Sequence, residues 1–248
     1  MQSYDHREHA GNAGDICKHL LLLEVADYLM DRGLAVYAES HAGRPMYRLA
    51  NVGEWQGGVG RCWRHLPSLR DFSYFRILAD LNPDGLRHYP GSTGLILEAC
   101  GRRGAEPTID IWDIDPEVAS AWRGRKDVKF HSGDGFSGVG TLLDRSPPGL
   151  LLIDPPSLHP ATGVRAEELL RQAEDKGWMA LCWYMMGADS PPGGNFPRYE
   201  IKFAPTGMEC GRWSGAVMVL AGSDEPLRRR LEHCVQEFLE IMRPTEPF

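Results

Sequence analysis

The sequence predicts an α/β fold organised on one mainly parallel, doubly wound sheet, and three observations carry that reading. Apolar runs of strand length alternate with segments of helical periodicity from residue 34 onward. Polar residues close four of the runs, at Glu39-Ser40-His41, Asp113, Asp134 and Asp154. The 248 residues are 42% hydrophobic and 25% charged, enough for one large domain with a well-buried core.

The first element is a helix over 15–33, with Asp15 as N-cap, apolar positions recurring at three and four, and Gly33 as its stop. Residues 34–43 read as a strand running into a glycine turn. A helix follows at 92–104, with Ser92 as cap and Gly104 as stop. More than 40 residues separate that turn from this helix, far beyond an ordinary strand-to-helix loop. They carry Arg48, Arg61 and Arg64, Trp55 and Trp63, and a helical stretch near 71–81. The expectation is an inserted helical subdomain over 46–88, lying above the sheet edge where open α/β folds bind ligands.

Strands at 108–116 and 127–135 flank a helix at 116–126 with Pro116 in its first turn. "GLLLID" (149–154) suits a short strand covered on both faces. A helix at 165–177, a strand at 178–186, two strands at 198–205 and 215–222, and a helix at 225–242 complete the chain. The last two strands are placed to pair as a hairpin, which makes one of them antiparallel.

Several classes are disfavoured by composition. The net charge of −7 and pI near 5.7 count against broad, nonspecific nucleic-acid binding but leave room for a local basic surface. The six cysteines are scattered with no CxxC pair, against a disulfide framework or a cysteine zinc site. The longest membrane candidate, 178–188, has 11 residues where about 20 are needed. The N-terminus is polar and lacks the apolar centre of a signal peptide, so a cytoplasmic location is expected.

Asp113, Asp134 and Asp154 are separated by 21 and 20 residues, the cadence of successive strand–helix units. That spacing predicts them side by side along the carboxyl edge of the sheet. An acid after the second strand can accept both hydroxyls of a ribose, and one after the third can meet an adenine amino group. Together they suit an adenosyl cofactor. The first turn, "SHAGRP", has the single glycine Gly43 and no helix directly after it, which disfavours a pyrophosphate-bearing dinucleotide. S-adenosylmethionine has no phosphate and needs no such loop. The competing explanation is that each acid is a helix cap.

"LLLIDPPSLHP" (150–160) closes a buried strand on an acid and two prolines. An exocyclic adenine amine is a poor nucleophile because its lone pair is delocalised into the ring. Two acceptors gripping its hydrogens draw the nitrogen toward tetrahedral geometry and free that pair. The Asp154 carboxylate and the Pro155 carbonyl form such a pair on a turn stiffened by proline. The plainer alternative is that Pro-Pro only ends the strand.

"YDHREHAGNAGDICKH" (4–19) closely resembles the opening of the RlmJ-type 23S rRNA adenine-N6 methyltransferases, matching at Tyr4, His6, His9, Ala10, Gly11, Asn12, Asp15, Lys18 and His19. "SHAG" with Tyr47, "YPGS" at 89–92, D-x-D-P at 113–116, "DGF" at 134–136 and "LLIDPP" at 151–156 resemble the same family in the same order. The resemblance implies a Rossmann-like class I methyltransferase with an inserted helical subdomain, using S-adenosyl-L-methionine on one adenine of 23S rRNA, protein-free or early in assembly. It implies that His19, His41, Gly43, Ser92, Asp113, Asp134 and Gly135 serve the cofactor. It makes Asp154 and Pro155 the groups that engage the amine, with Lys18 beside them and Tyr4 and His6 on the substrate side. Neither a membrane nor a metal is expected, since nothing completes a zinc pattern around His6 and His9. A monomer is expected.

The chain departs from the family at three places. Ser157 stands where a tyrosine that stacks on the flipped base is usual, "AGRP" replaces a more flexible glycine turn, and Glu39 replaces an aspartate. Two other readings follow from these departures. One is methylation of another amine, such as DNA adenine. The other is a non-catalytic binder of nucleic acid or cofactor, since the family has carried a label for use of external DNA.

Overall fold

The structure, a computed structural model, describes residues 9–188 and 190–243. Its first helix, α1 (Ala13–Met30), is buried on nearly every side, including Lys18, His19, Glu24 and Asp27. A helix covered on every side belongs inside a protein, and its buried polar residues need partners there. Asn12, not Asp15, caps it. The Asn12 side chain accepts from the Asp15 amide at 2.9 Å, and Asp15 Oδ2 accepts in return from the Gly11 amide at 2.9 Å. Asp15 thus lies at the third position of the helix and ties down the residue before the cap rather than being the cap itself.

The strands of the main sheet are β1 (Val36–Glu39), β4 (Thr108–Asp113), β5 (Lys129–Ser132), β6 (Leu150–Ile153), β7 (Met179–Met185), β8 (Arg198–Lys202) and β9 (Gly215–Ala221). Their spatial order is β5-β4-β1-β6-β7-β9-β8. β5, β4, β1, β6 and β7 run parallel, and β9 lies antiparallel to both β7 and β8, as the expected hairpin requires. Alternate residues of each strand feed opposite cores. Tyr37, Leu150 and Leu152 join α1, α5 (Ser92–Arg103) and α9 (Glu225–Met242) on one face. Val36, Ala38, Leu151 and Ile153 join α7 (Gly135–Leu143) and α8 (Pro160–Asp175) on the other. The sheet is therefore wound on both faces.

Between β1 and α5 the chain forms a second sheet of two antiparallel strands, β2 (Met46–Arg48) and β3 (His88–Pro90). A 3-10 turn (Glu54–Gln56) and the helices α2 (Val59–Trp63), α3 (Leu66–Leu69) and α4 (Ser73–Leu81) lie between them. The Gly91 amide donates to the Pro45 carbonyl at 3.1 Å, so the segment leaves and rejoins the chain at one point.

Three details correct the sequence reading. Ser92 is not a cap: Gly91 holds that place in extended geometry, and Ser92 opens the helical turn. α8 starts at Pro160, five residues before the expected 165, because the His159 ring accepts from the Thr162 amide. The sequence pattern shows no helix at 135–143, where α7 forms, and Asp134 is its N-cap, accepting from the Phe136 amide at 3.1 Å. The helix after β4, α6 (Pro116–Trp122), does begin on Pro116 under an Asp115 cap.

Candidate active site

Because every parallel strand points the same way, β5, β4, β1 and β6 deliver their carboxyl ends to one edge of the sheet. In order along that edge stand Asp134, Asp113, Glu39 and Asp154. Asp134 and Asp154, 20 residues apart, are not neighbours as their spacing suggested; they stand at opposite ends of the row. β1 lies between β4 and β6, which puts Glu39 at the centre of the row.

Glu39 is fully buried and satisfied within the chain. Ser92 Oγ donates to one oxygen at 2.5 Å, and Thr93 Oγ1 and Tyr37 Oη donate to the other at 2.5 and 2.9 Å. Burial raises its carboxyl to about 7, against these three hydrogen bonds and with help from the nearby Asp154 charge. Ser92, expected at the cofactor, spends its hydroxyl on Glu39.

At the end of β6, Asp154 meets the charged end of α1. Lys18 Nζ lies 2.7 Å from Asp154 Oδ2 and 2.9 Å from Asp15 Oδ1, and sits 5.1 Å from the Trp183 ring centroid. Burial alone would discharge the amine, but the two carboxylates outweigh it and hold its pKa above the ordinary lysine value. Pro155 is buried beside Asp154, while Pro156 and Ser157 are exposed. Ser157 makes no hydrogen bond among the described residues.

His19 lies next to Lys18 in α1 and is 2% exposed. Burial and the Lys18 charge lower its pKa to about 3, so the ring is neutral. Its Nδ1 shares a 2.7 Å hydrogen bond with Tyr89 Oη, which in turn meets Tyr74 Oη at 2.9 Å. Its Nε2 is buried with no partner among the described residues, as is Nε1 of Trp183. A buried polar atom left unmet is a place where a ligand atom gains a hydrogen bond at little cost.

His41 bonds Ser40 Oγ at 2.8 Å through Nδ1 and stands edge-on to Phe136, ring centroids 4.8 Å apart. Burial lowers its pKa against the opposing pull of Asp154 and Asp134, so both acids act on one imidazole. Asp134 is also ion-paired with Arg165, whose guanidinium lies 4.5 Å from the Phe136 ring centroid. Its pKa is lowered, the Arg165 and Ser137 hydrogen bonds overcoming partial burial. Asp113 accepts from the Asp115 amide at 2.7 Å, turning the chain into α6.

Two glycines expected at the cofactor are required by packing. A Cβ on Gly135 would stand 1.6 Å from the Ser40 carbonyl oxygen, so α7 meets the exit of β1 backbone to backbone. A Cβ on Gly43 would stand 2.4 Å from Tyr47 Oη, the hydroxyl that accepts from the Arg44 amide. The "AGRP" turn is further pinned by Trp122 Nε1 donating to the Gly43 carbonyl at 2.8 Å and by an Arg44–Glu117 ion pair.

The structure thus gathers Lys18, His19 and Asp154 with Asp15 at one end of the row, and His41, Asp134 and Gly135 with Arg165 at the other. Tyr4 and His6 lie outside the described residues. His9 pairs with Glu54, and among the described residues no group of three His, Cys, Asp or Glu could hold a metal ion. Glu39 with Thr93, Trp183 and Arg165 were missed from sequence. Glu39 carried a signal, a strand-ending acid. The other three become neighbours of the site only through the strand order.

A family model described as ribosomal RNA large subunit methyltransferase D, RlmJ, matches residues 32–166. The ribosomal RNA large subunit methyltransferase J of Haemophilus influenzae is 32% identical over 168 residues, and that of Escherichia coli 30% over 173. Each match covers 63% of this chain and 59% of the relative, so the chain spans about three fifths of their length. A crystal structure of a Legionella pneumophila protein shares the fold, with a TM-score of 0.72 and 21% identity, over 93% of this chain and 94% of that one. The family match takes in more than half of the sequence and includes β1, β4, β5, β6 and the Asp154 corner, and the chain belongs to the RlmJ family of ribosomal RNA large subunit methyltransferases.

Proposed function

We propose that the protein is a methyltransferase that moves a methyl group from S-adenosylmethionine to the exocyclic amine of an adenine in large-subunit rRNA. The observation that carries this reading is the corner at the end of β6. Asp154 sits there on a proline-stiffened turn, tied to Lys18 and set in one row with Glu39, Asp113 and Asp134.

The residues present fit an adenosyl cofactor. The unpartnered Nε2 of a buried, neutral His19 offers it a hydrogen bond, and Asp113 and Asp134 offer acceptors for ribose hydroxyls and an adenine amine. His41 and the Phe136 ring, packed edge to face, offer the cofactor a flat wall near Asp134. When bound, S-adenosylmethionine supplies the electrophilic methyl on its sulfonium.

The chain's own residues prepare the nucleophile. Lys18 fixes the Asp154 carboxylate through one oxygen, leaving the other free to accept a hydrogen from the amine. The Pro155 carbonyl is the second acceptor. Proline removes the competing amide donors at 155 and 156. Acceleration then comes from orientation, with nitrogen, methyl carbon and sulfur held in line. The base must leave its stack to reach this corner. We read 46–88 as a subdomain inserted into the methyltransferase domain, supported by the meeting of its ends at Pro45 and Gly91.

Among the described residues no helix is long and apolar enough to cross a membrane. The relatives' names point to rRNA, which we propose is modified before it is covered by ribosomal proteins. Incubating the protein with S-adenosylmethionine and protein-free large-subunit rRNA, then digesting the RNA, should release N6-methyladenosine. A methyl group on any other atom, or none, would overturn the reading. Ser157, exposed where the family uses an aromatic, supports a second reading in which the amine belongs to DNA. Preferential labelling of duplex or single-stranded DNA would select it.

A further inference from the structure

The arginines differ in how they are paired. Outside residues 46–88, eight of the fifteen described arginines hold a carboxylate: Arg44, Arg102, Arg103, Arg125, Arg165, Arg171, Arg229 and Arg230. Inside that segment stand six arginines, and among the described residues not one forms an ion pair. Two of the segment's four acids are already engaged, Glu54 by His9 and Asn12, and Asp80 by Arg102. In a chain of net charge −7, six arginines against four acids give this segment a formal charge of +2.

The β2–β3 ribbon gives that charge a defined surface. Its cross-strand pairs are Met46 with Pro90, Tyr47 with Tyr89, and Arg48 with His88. Alternation sends Tyr47 and Tyr89 inward, where Tyr89 bonds His19, and leaves Met46, Arg48 and His88 exposed. Arg87 is exposed beside them, its carbonyl accepting from the Leu49 amide at 2.9 Å. The loop that leaves β2 exposes Val52 to 77%. Two cation-capable side chains directly opposite each other repel when both are charged, and an anion laid across them removes that cost. Exposed arginines on one ribbon suit a sugar–phosphate backbone, whose phosphates recur along the strand and can each be gripped by a guanidinium in fork geometry.

We propose that the outer face of the β2–β3 ribbon, through Arg48, Arg87 and His88, grips the RNA phosphates flanking the target nucleotide. The inner face of the same ribbon meanwhile holds His19 in the site. This deepens the proposed function and rests on it. The ribbon joins the two tasks through one residue step, since Tyr89 follows His88 and bonds the histidine next to Lys18.

The test is binding of a fluorescent large-subunit rRNA hairpin by anisotropy across a salt series. The proteins are wild type, Arg48→Glu/Arg87→Glu, Arg48→Ala/Arg87→Ala, and Arg229→Glu as a control for net charge. Calorimetric titration with S-adenosylmethionine on each checks that the site is intact. Each lost phosphate contact should flatten the slope of log affinity against log salt by about 0.7–0.9. The double alanine variant should therefore lose about 1.5 from that slope, and the double glutamate variant at least about tenfold in affinity at low salt. Arg229→Glu should bind as wild type does, and cofactor affinity should be unchanged throughout. Wild-type affinity and slope in both double variants would overturn the proposal alone. If the wild type binds no RNA, the functional reading falls with it.

Discussion

Lys18 keeps its charge in a buried helix because two carboxylates share it, and under the proposed function the Lys18–Asp154 contact aims an acceptor. Breaking one partner of a buried pair leaves an uncompensated charge, so the geometry is held firmly. Glu39 is a different case. Its carboxyl is raised to about 7 by burial, so in the folded protein it keeps a proton that the unfolded chain releases near the ordinary value of 4.5. The folded state then binds more protons between those limits, and Glu39's contribution to stability falls as pH rises through them. Relative to wild type, Glu39→Gln should gain roughly 3 kcal/mol of stability between pH 4.5 and 7.5, read as the difference in urea midpoints at the two pH values. A constant difference would place the Glu39 proton elsewhere.

Ser157 is exposed and bonds to nothing among the described residues, so it can be replaced without disturbing the corner. Stacking a base on an aromatic is worth about 1–3 kcal/mol. Ser157→Tyr should therefore tighten rRNA binding by about 5- to 150-fold at constant salt, measured by anisotropy. No change would mean that the base does not pass over this position.

At the level of elements, the motifs that resemble a binding site divide into two kinds. Asn12, Gly11 and Asp15 are explained by the Asn12 cap, by the Gly11 amide held on Asp15, and by the Gly11 carbonyl, which accepts from the Val59 amide at 2.8 Å. Lys18 and His19 are not explained by helix formation, since a helix interior has no need of a buried ammonium. Gly135 belongs with packing. Gly135→Ala should cost more than the ~1–3 kcal/mol of ordinary overpacking, because a carbonyl oxygen of β1 rather than a mobile side chain fills the space. Thermal unfolding followed by circular dichroism would show it, and a melting temperature within a degree of wild type would contradict the contact.

Much of the sheet was legible in the alternation of apolar runs and helical periods, and the strand-ending acids were legible because the chain repeats its strand–helix unit. The neighbours of those acids were not. Spacing orders Asp113, Asp134 and Asp154 along the chain, but only strand pairing reveals that β1 sets Asp154 apart from the other two and puts Glu39 between Asp113 and Asp154. α7 escaped notice because Gly135, Gly138 and Gly140 depress its helical propensity. A Cβ on Gly138 would stand 2.0 Å from Trp112 Nε1, so tertiary contact chose a residue that local preference disfavours.

For the whole molecule, one sheet edge carries both halves of the proposed reaction, and ligand binding there must register in global stability. S-adenosylmethionine at about 100 times its dissociation constant should add about 2.7 kcal/mol, raising the melting temperature by roughly 5–10 °C. Asp134→Ala should blunt that rise. An unshifted melting curve in wild type would remove the cofactor from the account.

The most direct measurement is single-turnover transfer of a labelled methyl group to protein-free rRNA by wild type and Asp154→Ala, with cofactor affinity determined on both. The proposal predicts at least about a hundredfold slower transfer in the variant at unchanged cofactor affinity, the scale of losing one preorganised hydrogen-bonding group. Equal rates would contradict it, because the amine would then be activated without the carboxylate at the end of β6.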